Sequence, residues 1–78
     1  MTHEKYNELQ KKIDKVYSDF VNELAEIETE EDINKVSEWV GHQIKPIIEW
    51  AKDNDAEEKI LDDVRRAYFK LQEVLHVK

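Results

Sequence analysis

Apolar residues recur every three or four positions along three stretches of the chain. In the first stretch they fall on one side of a helix, at about 100° per residue. They are Tyr6, Leu9, Ile13, Val16, Tyr17, Phe20, Leu24 and Ile27. Thr2 is placed to cap this helix, which we expect to run to about Ala25 before a short polar break. The pattern predicts an amphipathic first helix.

A second helix is expected to begin at Thr29, which forms a near capping box with Asp32. Its apolar stripe is unusually broad, because Trp39, Ile48 and Trp50 widen it on both sides. The central positions of the stripe are Ile33, Val36, Val40, Ile44, Ile47 and Ala51. A stripe of this width predicts a helix that packs against two neighbours.

Pro46 interrupts the second helical pattern. It has no backbone N–H to donate to the carbonyl of His42, and its ring clashes with that carbonyl. Gly41 loosens the same turn, so we expect a kink near Gly41–Pro46. The alternative is a complete break at Gly41 to Lys45 that divides the segment into two short helices.

The third helical pattern follows a turn at Asp53 to Asp55. Asp55 and Glu58 have capping-box spacing, so we expect the helix to start there. Its stripe is the most regular of the three and runs nearly to the last residue. It consists of Ile60, Leu61, Val64, Ala67, Tyr68, Leu71, Val74 and Leu75.

Three amphipathic helices with short connections predict an all-α, antiparallel up-down-up three-helix bundle. A chain of 78 residues is long enough for one domain, which we expect to cover residues 1–78. One Gly and one Pro provide few positions for tight turns, which disfavours an all-β fold. We therefore expect a single helical domain.

Charge order gives a further expectation about this bundle. In an up-down-up arrangement the first and third helices are parallel. The first begins with lysines between Lys5 and Lys15, and the third begins with acidic residues between Asp55 and Asp63. Farther along, Asp19 to Glu26 would lie level with Arg65 to Lys70. Opposite charges are thus expected to meet between the two helices.

The composition narrows the classes of partner. Twelve basic and nineteen acidic residues give a net charge of −7, which opposes nucleic-acid binding unless the basic residues are clustered, and along the chain they are dispersed. The absence of cysteine excludes disulfides and thiolate metal sites. No apolar segment has the length of a membrane span. We expect a cytoplasmic protein that does not bind a membrane.

No arrangement of side chains indicates catalysis, a metal or a cofactor. The three histidines do not have the spacing of metal ligands; they are His3, His42 and His76. The two serines have no histidine at a spacing that indicates a nucleophile and its base; they are Ser18 and Ser37. The sequence contains no glycine-rich phosphate loop. We expect a protein that is not an enzyme and that has no cofactor.

The candidate site residues are large apolar side chains that a three-helix core does not need. Phe69 lies well away from the centre of its stripe, and Trp39 and Ile48 lie on opposite margins of the second helix. We expect partner-binding contacts from Trp39, Ile48, Trp50 and Phe69, with electrostatic steering by Glu30, Glu31, Asp62 and Asp63. The simpler interpretation is that the tryptophans line the core and the acidic residues cap helices.

These observations favour a small acidic module that binds another protein, as a regulator, inhibitor or immunity-type factor. Two alternatives use the same surface. One is a nucleic-acid mimic that blocks the basic cleft of a DNA-handling enzyme. The other is a self-associating structural protein, a homodimer whose seam contains Phe69.

Overall fold

The computed structural model describes residues 1–76 and contains three helices. They are α1 (His3–Ala25), α2 (Glu30–Asp53) and α3 (Glu58–His76). Neighbouring helices run antiparallel, as shown by residue pairs that join opposite ends: Lys5 lies near Trp50, and Ser37 bonds Gln72. The predicted all-α up-down-up bundle is confirmed.

Side-chain caps fix the starts of the first two helices, as predicted. The Thr2 hydroxyl accepts a hydrogen bond from the Lys5 backbone N–H at 3.2 Å. At the start of α2, the Thr29 hydroxyl accepts from the Asp32 N–H, and the Asp32 carboxylate accepts from the Thr29 N–H. This reciprocal pair is a complete capping box. Both caps are encoded within four residues of sequence, which explains why they could be predicted.

The turn between α2 and α3 differs from its prediction. Asp55 has a φ of 60°, in the left-handed region. Its N–H donates to the carbonyl of Lys52, and the N–H of Ala56 donates to the carbonyl of Ala51 at 3.0 Å. These two bonds define a Schellman ending of α2. The expectation that Asp55 caps α3 was therefore wrong, because its backbone is used to terminate the preceding helix.

Helix α2 is continuous through Pro46. The alternative of a complete break between Gly41 and Lys45 is therefore wrong. Burial explains this continuity, because Val40, Ile44 and Ile47 stay on one buried face only if the helical phase is kept across the proline. The predicted kink at this position stays a prediction.

The core lies along one stripe from each helix. Buried apolar residues come from all three, and they are Leu9, Ile13, Val16, Phe20, Val36, Val40, Ile44, Ile47, Ala51, Leu61, Val64, Ala67, Leu71 and Leu75. Val74 was expected in the stripe of α3, but 46% of its surface is exposed. It lies at the margin of the stripe, roughly 100° from Leu75 and about 20° beyond Ala67.

Helix α2 is the central element, since it packs against both α1 and α3 while those two helices contact each other least. A polar pair joins α2 to α3: the Ser37 hydroxyl donates to the Gln72 side-chain oxygen at 2.6 Å, and the Gln72 amide donates to the Ser37 carbonyl at 2.9 Å. The molecule is elongated, with extents of 42 × 18 × 17 Å.

The expected pairing of charges between α1 and α3 is not found. Within residues 1–76, every ion pair joins residues of one helix: Lys5 with Glu8, and Arg65 with Glu58 and Asp62. Carboxylates three or seven residues away lie on the same face of the helix, so a basic side chain reaches them more easily than those of a helix with which it has little contact. Local pairing therefore replaces the predicted pairing between helices.

Candidate functional site

An open groove between α2 and α3 contains two of the candidate site residues. Phe69 is 65% exposed at its edge, and Ile48 is half-buried in it. The groove has a volume of about 370 Å³. Its lining consists of Gly41, Ile44, Lys45, Ile48, Glu49, Lys52, Arg65, Tyr68 and Phe69. The expectation that Phe69 lies outside the core is confirmed.

The floor of the groove is apolar because the stripes of the two helices meet there. Ile44 is buried, whereas Ile48 and Tyr68 are half-buried and pack against the core from the groove side. The ring of Phe69 stands edge-on to that of Tyr68, with centroids 5.4 Å apart and an interplanar angle of 74°. Phe69 is thus supported on one side by another ring and open to solvent on the other.

The rim of the groove carries a local excess of positive charge. Three of its side chains are basic, Lys45, Lys52 and Arg65, and one is acidic, Glu49. Arg65 is held by its own helix, with its guanidinium 2.7 Å from the carboxylate of Asp62. Within the described part of the chain, neither lysine takes part in an ion pair, so the lysines supply the uncompensated charge.

On the α1 side of α2, the aromatic residue Trp50 has a different environment from that of Phe69. Trp50 is half-buried against the core, and two lysines of α1 lie over its ring: the Nζ of Lys12 is 5.0 Å from the ring centroid and that of Lys5 is 5.9 Å. Ammonium groups at this distance are attracted to the face of an indole. Trp50 therefore combines an internal contact with a position in the lining of an open groove of about 490 Å³ between α1 and α2.

Trp39 also packs against the core. It is eleven residues before Trp50, which puts both on the same side of α2, roughly 20° apart and towards α1. Ile48 lies on the opposite margin, as expected. Of the four apolar candidates, the structure brings only Ile48 and Phe69 together.

The acidic candidates do not form one surface with the groove. Glu30 and Glu31 are exposed in the first turn of α2, about 25 Å along the helix axis from Ile48. Asp62 is adjacent to the groove through its bond to Arg65, whereas Asp63 is exposed and does not line it. The steering role of these four residues stays a prediction.

The basic rim was missed at the sequence level, although a signal for it was present. Lys45 and Lys52 are seven residues apart, which places them on one helix face, with Ile48 between them. Composition hid this feature, because an excess of acidic residues over the whole chain says nothing about a local arrangement. Arg65 reaches the rim only through the register of α3 against α2.

One carboxyl group has a shifted pKa, and its cause is structural. Backbone N–H groups of Glu28 and Thr29 donate to the Asp32 carboxylate at 3.1 and 3.2 Å. These bonds, the first the largest cause, hold the pKa of Asp32 below its ordinary value of 3.8. The shift belongs to the helix cap and gives no sign of chemistry.

Over residues 1–76, no three His, Cys, Asp or Glu side chains are grouped so that they could bind a metal ion. No helix in the same range combines the length and the apolar character that a membrane crossing requires. No protein-family model matches the chain, and no curated protein or solved structure matches it either. The site must therefore be interpreted from its own geometry.

Proposed function

We propose that this chain is a small, non-catalytic, cytoplasmic module that binds another protein, as a regulator, inhibitor or immunity-type factor, and that it does so through the groove between α2 and α3. The observation that carries the proposal is the exposure of Phe69 beside Ile48. A large aromatic ring next to a half-buried aliphatic residue and an open groove is the arrangement found at binding hot spots.

Single exposed apolar residues are ordinary on protein surfaces, so the neighbourhood of Phe69 matters more than its exposure. Val21 is almost equally exposed, at 63%, yet it does not line the groove between α2 and α3. Phe69 differs because its ring is supported by Tyr68 and faces a concave apolar floor. An apolar side chain of a partner placed there would bury its surface against both the ring of Phe69 and the floor of the groove.

This difference gives a matched test. The full chain, its Phe69→Ala variant and its Val21→Ala variant are immobilised, and bound proteins from lysate of the source cells are quantified at equal loading. We expect Phe69→Ala to weaken retention of a specific partner by about tenfold, since hot-spot truncation costs more than about 1 kcal/mol. Val21→Ala should retain the partner like the unmodified chain.

Equal retention by all three proteins would reject the groove as the binding surface. The two alternatives have signatures of their own, one in the salt dependence of retention and one in sedimentation. A nucleic-acid mimic would lose its partner in high salt and ignore the loss of the ring. A homodimer would appear in sedimentation as a species of twice the mass that Phe69→Ala dissociates.

A further inference from the structure

We infer that the occupant of the groove between α2 and α3 is an amphipathic helix of another protein, with acidic residues flanking its apolar face. This inference rests on the proposed function and specifies the chemistry of the partner. It follows from the charge of the groove rim, the spacing of its lysines and the shape of the space between two helices.

The charge of the rim is opposite to that of the molecule. The chain as a whole has a net charge of −7. The groove lining has three basic side chains and one acidic side chain. Arg65 is already paired with Asp62 and Glu58, so the unpaired charges of the rim are those of Lys45 and Lys52 against Glu49. Charged groups around a hydrophobic contact select partners of complementary charge. The rim therefore selects an acidic segment even though the rest of the surface repels one.

The uncompensated part of this charge comes from two lysines. Asp62 and Glu58 already hold Arg65, at 2.7 and 3.5 Å. Lys45 and Lys52 make no ion pair with any residue in the range 1–76, and both are exposed. They are free to pair with carboxylates that arrive with a partner.

The spacing of the lysines indicates the form of that partner. Two turns of α2 separate Lys45 from Lys52, which is about 10 Å along the axis. Carboxylates two turns apart on another helix have the same separation, with apolar residues between them at steps of three and four. The trough between two packed helices accepts such a helix with its apolar face directed towards Ile48 and Phe69.

The test uses two synthetic peptide probes with the same leucine face. One carries glutamates along both edges of that face, and the other carries lysines at the same positions. Each is titrated into the isotope-labelled full chain, and amide shifts are followed by NMR. Long-range attraction to a chain of charge −7 favours the lysine peptide, so a preference for the glutamate peptide can come only from the local rim.

We expect the glutamate peptide to shift amides in residues 45–52 and 65–69 and to bind about tenfold more tightly than the lysine peptide. Lys45→Glu together with Lys52→Glu should abolish or reverse this preference. Lys11→Glu together with Lys59→Glu is the matched control, because it changes the net charge equally at exposed positions outside the groove. That control should keep the preference.

A lysine peptide that binds as well or better, shifts that lie outside the groove, or no shift with either peptide at about 1 mM would overturn the inference. The proposed function can be judged separately with the lysate assay. Loss of partner capture in Phe69→Ala, with capture unchanged in the Lys45/Lys52 double variant, would leave the binding groove in place and reject the acidic partner. Equal capture by Phe69→Ala and Val21→Ala would reject both.

Discussion

The two sides of α2 use aromatic residues in opposite ways. Towards α1, Trp50 is half-buried and its ring lies under Lys5 and Lys12. Towards α3, Phe69 is exposed at the edge of a groove whose lysines do not cover it. Both sides combine an aromatic ring with basic side chains. The ring of Trp50 contributes to packing within the fold, whereas the ring of Phe69 remains accessible to a partner.

The largest expected effect separates the two aromatic residues by stability. Trp50→Ala removes a ring that packs against the core, and we expect it to lower the free energy of unfolding by about 2 kcal/mol, less than for a fully buried Trp. Phe69→Ala removes a ring that mainly contacts solvent, so its effect should stay below about 0.5 kcal/mol. Urea unfolding of both variants measures the contrast, and equal losses would contradict it.

The next effect concerns the polar pair that joins α2 to α3. Gln72→Ala removes a side chain that both accepts from and donates to Ser37. We expect a loss of about 1 kcal/mol, because the half-buried Ser37 groups lose their partner. Hydrogen exchange should show the loss mainly in α3. Uniform acceleration of exchange in α1 as well would argue against a separate α2–α3 seam.

A smaller effect is expected from the contact between the ammonium group of Lys12 and the ring of Trp50. Lys12→Met keeps most of the aliphatic stem but removes the ammonium group 5.0 Å from the ring. We expect a loss of about 0.5 kcal/mol, which reflects the cation–π attraction alone. Lys11→Met serves as the control, since Lys11 has no such contact and is exposed. If both variants lose equal stability, packing or net charge explains the change instead.

Acid should distinguish the two turns. The α1–α2 turn is held partly by the Asp32 carboxylate, whereas the α2–α3 turn is closed by backbone bonds that do not titrate. Because backbone hydrogen bonds lower the folded-state pKa of Asp32 below 3.8, its contribution is fully present above that value and disappears as the pH falls through the lower folded-state pKa.

The stability difference between the unmodified chain and Asp32→Asn should therefore be constant near neutral pH and shrink below about pH 4. Unfolding monitored by circular dichroism over a pH series measures this difference. A difference that persists unchanged in strong acid would show that the charge of Asp32 does not contribute.

Local patterns predicted the helices well, because the relevant interactions span few residues. Thr2, Thr29 and Asp32 act within one helical turn, and the spacing of the apolar residues fixes which faces are buried. Asp55 was wrongly predicted to cap α3 because Asp followed by Glu three residues later is typical of a helix start. The left-handed residue that ends a helix is usually Gly, so nothing in the sequence indicated that Asp55 takes this role.

The groove could be predicted only in part. The positions of Phe69 and Ile48 on the margins of their stripes follow from helical periodicity. Their meeting in one groove depends on the register of α3 against α2, which no local pattern encodes. The failed pairing of charges between α1 and α3 has the same origin, because it required a close approach of two helices whose separation is set by the side chains between them.

The central position of α2 has a consequence for how the molecule opens. Because α1 and α3 contact each other least, detachment of either outer helix leaves the contacts of the other with α2 in place. Detachment of α3 would also dismantle the groove of Ile48 and Phe69. A ligand bound between α2 and α3 would stabilise the closed bundle and oppose the detachment of α3.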